Sequence, residues 1–420
     1  MSLLAEAATQ APYYKVVKGR HMLYVKQKPY YINGMTFGKQ VEAAKIDNDM
    51  KILKDLGVNT IRTWGTGDES KTLFDAAHKH GIKVMAGIWM RHGRPGAEGD
   101  DSFNWLSDKK GIQAQWDGAI ATVKKYMDHP AILFWGIGNE VYLNCATEAE
   151  KVAYSKFLGK LCKEIKKIDN KHLISSSCAW SIGVPYWEKY CRDIDVYGVN
   201  SYGAGVGALA GEFKRLKVSK PYVLTEFGAR GEWDAPKDKN GLKKEPTDQE
   251  KWDTFSKGWT EWIAAKKQCL GGFVFNYGDT EKFDHASIWL NLKVQNCYRP
   301  QYWATRLALT GKKPTHAFPQ VQQFLIPKDS GITGEWVDLK LKVMDRDDKS
   351  FDISFYYNQR LDGAPRHKRD GVYPLEFKGD LKNGYSFKVP AEKGLIKVYA
   401  FVKDSTKNLG IAFTSYVIIN

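Results

Sequence analysis

Two glutamates each follow directly after an apolar run of strand length. Glu140 comes after AILFWGIGN at 131–139, and Glu226 comes after YVLT at 222–225. A carboxylate is poorly solvated next to such a run, so it must be hydrogen-bonded or take part in a reaction. Either glutamate alone could be a structural ion-pair partner. Together, both framed by aromatic residues, they indicate a pair of acids with a joint chemical role.

A pair of carboxyl groups suits the hydrolysis of an acetal. One acid protonates the leaving oxygen, while the other stabilises or attacks the oxocarbenium-like carbon. A gap of about 5–5.5 Å between the two carboxyl groups gives retention through a covalent intermediate, and a gap of about 6.5–9.5 Å admits a water and gives inversion. The sequence does not fix this gap, so both outcomes stay open on the residues alone.

The elements that must position these acids alternate regularly along the chain. Apolar runs of strand length and helix-period segments alternate about eight times before residue 315, which is typical of a (β/α)8 TIM barrel. We predict strands at 31–37, 58–64, 82–89, 131–137, 172–178, 194–199, 222–227 and 272–275, and helices at 41–56, 69–80, 112–128, 147–168, 207–216, 248–267 and 302–310. Reactive groups of such a barrel lie after the carboxyl ends of the strands, where Glu140 and Glu226 stand.

The pattern changes near residue 315. From 320 onward apolar and polar residues alternate, with turn sequences such as DRDDKS at 345–350 and LKNG at 381–384. This alternation predicts a small C-terminal all-β sandwich, which we interpret as Ig-like. We therefore expect an N-terminal lead at 1–24, a catalytic barrel at 25–315 and an accessory sandwich at 316–420. Packing against the barrel and glycan binding are both open as roles for the sandwich.

Charge and apolar content argue against two classes of partner. The chain has 420 residues and a net charge of +15, from 63 Lys and Arg against 48 Asp and Glu. The basic residues are dispersed and no nucleic-acid motif accompanies them, so we expect no nucleic-acid partner. No apolar run approaches the roughly 20 residues of a membrane span, so we expect no membrane insertion. Oligomeric state has no signal in the sequence.

Metal and cofactor motifs are also missing from the sequence. The six cysteines have no CxxC spacing and the histidines form no HExxH motif, so we expect no metal, and buried free thiols with disulfides as the alternative. The glycine-rich run YGAGVGALAG at 202–211 lacks the GxGxxG order of a dinucleotide site, and we expect no cofactor. The first residues contain no signal-peptide pattern. Secretion, the periplasm or the cell surface is still the expected location, with the cytoplasm as the alternative.

Four motifs carry a family resemblance. They are VNTIRTWG at 58–65, HPAILFWGIGNE at 129–140, DIDVYGVNSYG at 193–203 and KPYVLTEFGARGEW at 220–233. In content and order they resemble the barrels of clan A glycoside hydrolases, especially family 2-like catalytic domains, and among these bacterial β-glucanases. The resemblance covers residues 25–315, and the sandwich carries no motif that can be placed.

The resemblance implies a role for five residues. Glu140 matches the acid/base, Glu226 matches the nucleophile of a retaining mechanism, and Asn139 matches the residue that binds the sugar's 2-hydroxyl. Arg62 matches the arginine that keeps the nucleophile ionised, since an adjacent guanidinium favours the charged carboxylate. Tyr202 matches the tyrosine that hydrogen-bonds the nucleophile. A structural ion pair for Arg62, a turn for Asn139 and aromatic packing for Tyr202 are the alternative explanations.

Aromatic residues at strand ends suggest a sugar-binding cleft. Sugar rings present apolar faces that stack on Trp and Tyr. Four tryptophans fall at or just after predicted strand ends, namely Trp64, Trp89, Trp180 and Trp233. After the eighth strand the chain reads FNYG, so Tyr277 stands where such barrels usually have a tryptophan under the sugar. The loop MRHGRPGAEGDD, with Arg91, His92 and Arg94, is expected to be solvated, with a contact to the substrate as the alternative.

These observations predict a retaining β-glycoside hydrolase whose partner is a polysaccharide or oligosaccharide. A β-glucan, and first a β-1,3-glucan, is the expected substrate. The alternatives are a transglycosylase or a β-mannanase or β-galactanase of the same clan. A non-catalytic glycan-binding barrel and a metal-dependent barrel enzyme are the hypotheses from other classes.

Overall fold

The computed structural model describes residues 11–38, 42–93, 103–278, 283–359 and 371–419. The chain divides into two compact units. The first comprises Met1–Phe227 and Gly258–Phe275, and the second comprises Gly228–Lys257 and Asn276–Asn420. The predicted boundaries at residues 24 and 315 stay a prediction.

Eight parallel strands close a barrel, which confirms the predicted TIM-barrel fold. Around the barrel the strands follow one another in chain order, and the eighth pairs with the first. Helices cover the outside of such a barrel, so its strands are buried on both faces and read as continuous apolar runs. The strands are Ile32–Thr36, Thr60–Arg62, Lys83–Ile88, Ile132–Asn139, Leu173–Ala179, Val196–Tyr202, Tyr222–Gly228 and Cys269–Val274.

The predicted helices are present, with two differences. Helices extend over Ala43–Asp55, Ser70–Lys79, Lys109–Tyr126, Glu148–Ile168, Gly205–Arg215 and Pro300–Thr310. The helix predicted at 248–267 is instead an α-helix at Asp248–Asp253 followed by a π-helix at Thr254–Ala264. A further helix after the fifth strand, Val184–Tyr190, was not predicted, because it is only seven residues long and shows little periodicity. Short 3-10 helices lie at Val141–Asn144 and Glu232–Asp234.

One end of the barrel is closed by an antiparallel sheet of three strands. These strands, Tyr13–Val17, Arg20–Val25 and Lys28–Tyr30, were not among the predicted elements. Leu23 is buried in a cluster with residues from the beginnings of the barrel strands, including Ile32, Leu173 and Val196. Because this sheet seals the amino-terminal end of the strands, the carboxyl-terminal end is the one that carries the candidate site.

The second unit contains two β-sheets with a common core. One sheet has the strand order Gln320–Leu325, Trp336–Met344, Gly384–Lys388 and Phe377–Asp380. The other has the order Ser330–Gly331, Leu409–Ile418, Gly394–Lys403, Asp352–Gln359 and Tyr373–Pro374. Inward-facing residues of both sheets form one hydrophobic cluster, which confirms the predicted all-β sandwich. The helix His285–Leu290 also belongs to this unit.

A fully buried ion cluster lies in the second unit. Glu245 accepts hydrogen bonds from Lys251 Nζ at 2.8 Å and from Lys397 Nζ at 2.6 Å, and none of the three side chains is more than 2% exposed. The Lys397 ammonium also lies over the rings of Trp289 and Phe413. Burial opposes ionisation of Glu245, but the two ammonium groups outweigh it and hold its pKa well below the ordinary value. Burial lowers the pKa of Lys251, which shares the carboxylate with a second cation.

All six cysteines are buried free thiols, as expected. They are Cys145, Cys162, Cys178, Cys191, Cys269 and Cys297. Burial raises the pKa of each thiol, to about 12 for Cys178 and Cys269. In the part of the chain that the structure describes, no helix is long and apolar enough to cross a membrane.

Candidate active site

Glu140 and Glu226 lie at the carboxyl ends of two barrel strands. Glu140 directly follows the fourth strand, whose eight residues are all buried, and Glu226 lies near the end of the seventh strand. Glu226 is 6% exposed and Glu140 is half-buried. One hydrogen-bond network connects the two carboxylates through Arg62, Asn139 and Asn200.

Three donors hold the Glu226 carboxylate. Arg62 Nη1 and Trp64 Nε1 donate to Oε1 at 3.0 and 3.1 Å. Tyr202 donates its hydroxyl to Oε2 at 2.6 Å. Hydrogen bonds to a charged acceptor are stronger than neutral ones, so these donors fix the orientation of the carboxylate.

Arg62 joins three strands at this site. Besides Glu226, its Nη1 donates to the backbone oxygen of Thr225 at 2.8 Å, and its Nη2 donates to Asn139 Oδ1 at 2.7 Å. The Arg62 side chain is 3% exposed. A planar guanidinium with several fixed donors is suited to such a junction. Arg62 therefore ties the end of strand two to strands four and seven.

Asn200 completes the connection to Glu140. Its Nδ2 donates to Asn139 Oδ1 at 3.0 Å and to Glu140 Oε1 at 2.8 Å, while its Oδ1 accepts from Thr225 Oγ1 at 2.7 Å. The sequence reasoning did not single out Asn200. The signal was present, because side chains two apart on a strand share a face and Asn200 precedes Tyr202 by two residues.

The backbone turns sharply where the fourth strand ends. Gly138 and Glu140 both have positive φ angles, 71° and 54°. A left-handed conformation costs a residue with a side chain roughly 1–2 kcal/mol. The Glu140 amide donates to the backbone oxygen of Ser177 at 2.9 Å, which anchors the strained residue to strand five. Strain of this kind is typical of functional sites.

His92 supports the same turn, and its predicted place in a solvated loop is wrong. Its side chain is fully buried, and its ring stacks on that of Trp89 at 4.7 Å between centroids. Asn144 Nδ2 lies 2.7 Å from Nδ1, so Nδ1 accepts and Nε2 donates to the Asn139 backbone oxygen at 2.9 Å. Arg91 is half-buried, and Arg94 lies outside the described residues.

Aromatic packing fixes Trp64 and Tyr202. Both rings contact Phe275 edge-on, with centroid distances of 5.8 and 5.9 Å. Phe275, at the end of strand eight, was not predicted as a site residue.

On strand three, a Cβ at Gly87 would lie 2.3 Å from the backbone oxygen of Thr63. Only glycine therefore allows the backbone before Trp64 to pass this closely.

The remaining predicted aromatics lie in different surroundings. Trp180 is half-buried at the end of strand five, and its amide donates to the Asn200 backbone oxygen at 3.0 Å. In the second unit, Trp233 is 60% exposed, whereas Tyr277 is buried and has Lys293 Nζ 5.0 Å from its ring centroid. Sugar stacking by Trp89, Trp180, Trp233 and Tyr277 stays a prediction. The described residues contain no cluster of three or more His, Cys, Asp or Glu side chains that could hold a metal ion.

Comparison with known families decides where this barrel belongs. The family model described as "Glycosyl hydrolases family 2, TIM barrel domain" matches residues 16–281, well over half of the chain. The chain belongs to glycosyl hydrolase family 2. This confirms the resemblance inferred from the four motifs, which all lie in the matched part of the family 2 barrel.

Curated relatives and solved structures are similar to this family 2 chain. It is 32% identical over 133 residues to mannan endo-1,4-beta-mannosidase F of Aspergillus clavatus, covering 29% of each chain. It is 27% identical over 214 residues to a probable mannan endo-1,4-beta-mannosidase F of Aspergillus oryzae, covering 42% of this chain and 45% of that one. The chain thus spans less than half of these curated relatives.

A solved structure shares the fold. The FMN-binding beta-glucuronidase from Facaelibacterium prausnitzii L2-6 aligns with 97% of this chain and 59% of its own, with a TM-score of 0.54. The sequence identity over this alignment is 16%. At this identity the likeness supports the family 2 fold alone.

Proposed function

We propose that this chain is a retaining β-glycoside hydrolase with Glu226 as the nucleophile and Glu140 as the acid/base. The observation that carries the proposal is the hydrogen-bond network in which Arg62 bridges Glu226 to Asn139 and Asn200 bridges Asn139 to Glu140. Two carboxyl groups at strand ends, held in one network, suit the pair of acids that glycoside cleavage uses. Family membership supports the same reaction class.

The reaction proceeds in two displacements. A Glu226 oxygen forms a bond to the anomeric carbon as the bond to the leaving oxygen breaks, and Glu140 gives its proton to that oxygen. Glu140, now a carboxylate, then takes a proton from water, whose oxygen bonds to the anomeric carbon and releases Glu226. Both carboxyl groups return to their starting protonation states, so the cycle balances without another reactant.

The groups around Glu226 and Asn139 orient these two side chains for the reaction. Arg62 and Trp64 donate to one oxygen of Glu226 and Tyr202 to the other, so neither oxygen reorients before attack. Asn139 accepts from Arg62 and Asn200 through its carbonyl oxygen. Its amide nitrogen is thereby turned away from these donors, an orientation that suits a hydrogen bond to the sugar's 2-hydroxyl.

For the substrate we propose a β-mannan. The two curated relatives described above are named as mannan endo-1,4-beta-mannosidases, which favours the mannanase alternative over the expected β-1,3-glucan. Because a β-mannan is a polysaccharide, this substrate also favours action outside the cell.

The test is product release from a panel of β-mannan, β-1,3-glucan and β-galactan. We expect reducing sugars from β-mannan with the wild type, a near-complete loss with Glu226→Gln, and wild-type release with Glu164→Gln. Glu164 is a matched control because its ion pair among the described residues is with Lys167, one turn away on the surface of a helix. NMR of the first product should show the β-anomer. An initial α-anomer contradicts retention, and near-zero release by wild type and Glu226→Gln alike supports a glycan-binding barrel.

A further inference from the structure

A cleft of about 400 Å³ adjoins the candidate nucleophile within the first unit. Its walls come from Phe37 and Gly38 after strand one, from the loop at 63–67 after strand two, and from Glu69, Ser70 and Leu73 at the start of the next helix. The volume falls within the range of about 300–1,000 Å³ that is typical of small-molecule sites. The mechanism above does not use this space.

The chemistry of the lining suits a sugar ring. Phe37, Trp64 and Leu73 provide apolar surface, while Thr66, Glu69 and Ser70 provide polar groups. The Thr66 hydroxyl oxygen is buried and has no hydrogen-bond partner among the described residues. Buried hydroxyls are nearly always paired, so this group is suited to a partner supplied by a ligand. A pyranose has apolar ring faces and a rim of hydroxyls, which match both parts of the lining.

Trp64 connects the cleft to the reacting centre. The same side chain lines the cleft and donates to Glu226 Oε1 at 3.1 Å. The leaving group must lie beside its proton donor, Glu140, after strand four. Strand three separates strand four from the strands that border the cleft. A sugar chain that passes over Glu226 away from Glu140 therefore continues toward the cleft.

We propose that this cleft, the glycone cleft, binds the sugar unit next to the one that Glu226 attacks, on its non-reducing side. The inference rests on the proposed function. It means that the enzyme prefers bonds at least two sugar units from the chain end, so that it releases disaccharides or longer products rather than single sugars. A site that accepted only a terminal sugar would have no use for the cleft.

The experiment compares 4-nitrophenyl β-mannoside with 4-nitrophenyl β-1,4-mannobioside, and 4-nitrophenyl β-glucoside with the β-1,3-linked laminaribioside. The measured quantity is the ratio of kcat/KM for bioside to monoside. We expect a wild-type ratio of about ten or more for one pair, because stacking and a few new hydrogen bonds stabilise the second sugar.

Two variants test the cleft itself. A Cβ at Gly38 meets no atom of the described residues within 4 Å, so Gly38→Phe fills space without backbone strain, and we expect the ratio to fall to about one. Gly118→Phe is the matched control, since Gly118 also meets nothing within 4 Å and lies on a helix that does not line the cleft. Thr66→Val, which replaces the hydroxyl with a methyl group of similar size, should lower the ratio by a smaller factor.

The outcomes separate the two proposals. A wild-type ratio near one, or an unchanged ratio in both Gly38→Phe and Thr66→Val, overturns the glycone cleft and leaves the proposed hydrolase standing. No hydrolysis of any of the four glycosides by the wild type, with no release from the polysaccharide panel, overturns the proposed function itself. Circular dichroism of each variant shows whether a lower ratio comes from misfolding. If Gly38→Phe is misfolded, the ratio measured for Thr66→Val decides whether the glycone cleft binds the second sugar.

Discussion

Arg62 Nη1 lies 3.0 Å from Glu226 Oε1, and both side chains are more than nine-tenths buried. The contact joins the ends of strands two and seven, while the second guanidinium nitrogen reaches Asn139 at the end of strand four. A buried charge pair is weak evidence for stability, because desolvation offsets the attraction. Its value here is positional, since one planar group sets the place of Glu226, the proposed nucleophile, and of Asn139, which precedes the proposed acid/base.

Arg62→Lys should therefore impair catalysis although it keeps the charge. A single ammonium cannot reproduce bonds to Glu226, the Thr225 backbone oxygen and Asn139 together, so we expect kcat/KM on the substrate found in the panel to fall by about 100-fold or more. Arg215→Lys is the control, because Arg215 also donates two hydrogen bonds to a glutamate but lies at the surface. Equal activity of the two variants would refute the positioning role.

Removal of Glu140 should affect two classes of substrate differently. A natural glycan needs a proton on its leaving oxygen, so Glu140→Ala should reduce its turnover by about 100- to 10,000-fold. In a 2,4-dinitrophenyl glycoside the leaving group, dinitrophenolate, departs with little proton assistance. The rate of glycosyl transfer from this substrate to Glu226 should therefore fall much less. Pre-steady-state release of dinitrophenolate measures that step. Equal losses on both substrates contradict the acid/base assignment.

Removal of the Tyr202 hydroxyl tests whether this group supports the proposed nucleophile, Glu226. Tyr202→Phe removes one donor from the Glu226 carboxylate, and a hydrogen bond to a charged group contributes about 1.5–3 kcal/mol, so we expect a loss of about 10- to 100-fold in kcat/KM. Tyr186→Phe removes an identical 2.6 Å bond to Glu148 at an exposed position. That variant should retain wild-type kinetics. A loss of similar size in both variants would point to a general folding defect.

Glu245→Gln should destabilise the second unit. The substitution leaves Lys251 and Lys397 buried without a carboxylate, and breaking a buried pair costs about 3–5 kcal/mol of unfolding free energy. Urea denaturation followed by circular dichroism measures the change. Glu376→Gln, which breaks an exposed pair with Lys388, should change stability by no more than about 0.5 kcal/mol. Matching midpoints for the two variants would show that the buried cluster contributes no stability.

The same cluster predicts an acid-sensitive contribution to folding. The ammonium groups of Lys251 and Lys397 hold the pKa of Glu245 below its ordinary value of 4.5 despite the opposing effect of burial. A carboxylate whose pKa is lower in the folded state stabilises the fold fully above about pH 4.5, and this contribution is lost as the pH falls below that value. Between about pH 5 and pH 3, the wild type should therefore lose more unfolding free energy than Glu245→Gln. The prediction is contradicted if the urea midpoints of the wild type and of Glu245→Gln fall by the same amount across this pH range.

Much of the barrel could be predicted from the sequence, because apolar strands and amphipathic helices alternate with clear periods. All eight strands lie where the pattern placed them. At Thr254–Ala264 the sequence predicted a helix but not its π type, since the hydrophobic period of this segment is the one an α-helix would show. The sheet formed by Tyr13–Val17 and its neighbours was also missed, because short strands of mixed polarity resemble a loop.

The candidate site was predictable only in part. Its charged members stood out because a carboxylate or guanidinium is unusual at the end of a buried strand. Asn200, His92 and Phe275 were missed or misplaced, since an amide, an imidazole and a phenyl ring are common in ordinary packing. Their roles depend on which side chains meet across the barrel, and this follows from tertiary structure rather than from local pattern.

The six buried thiols can be used to follow the unfolding of the protein. A water-soluble alkylating reagent reaches such a sulfur only after the surrounding chain opens, so the rate of mass increase follows the opening reaction. Cys297 belongs to the second unit and the other five cysteines to the first. Peptide mapping of the alkylated chain would thus give the order in which the two units open, without any engineered label.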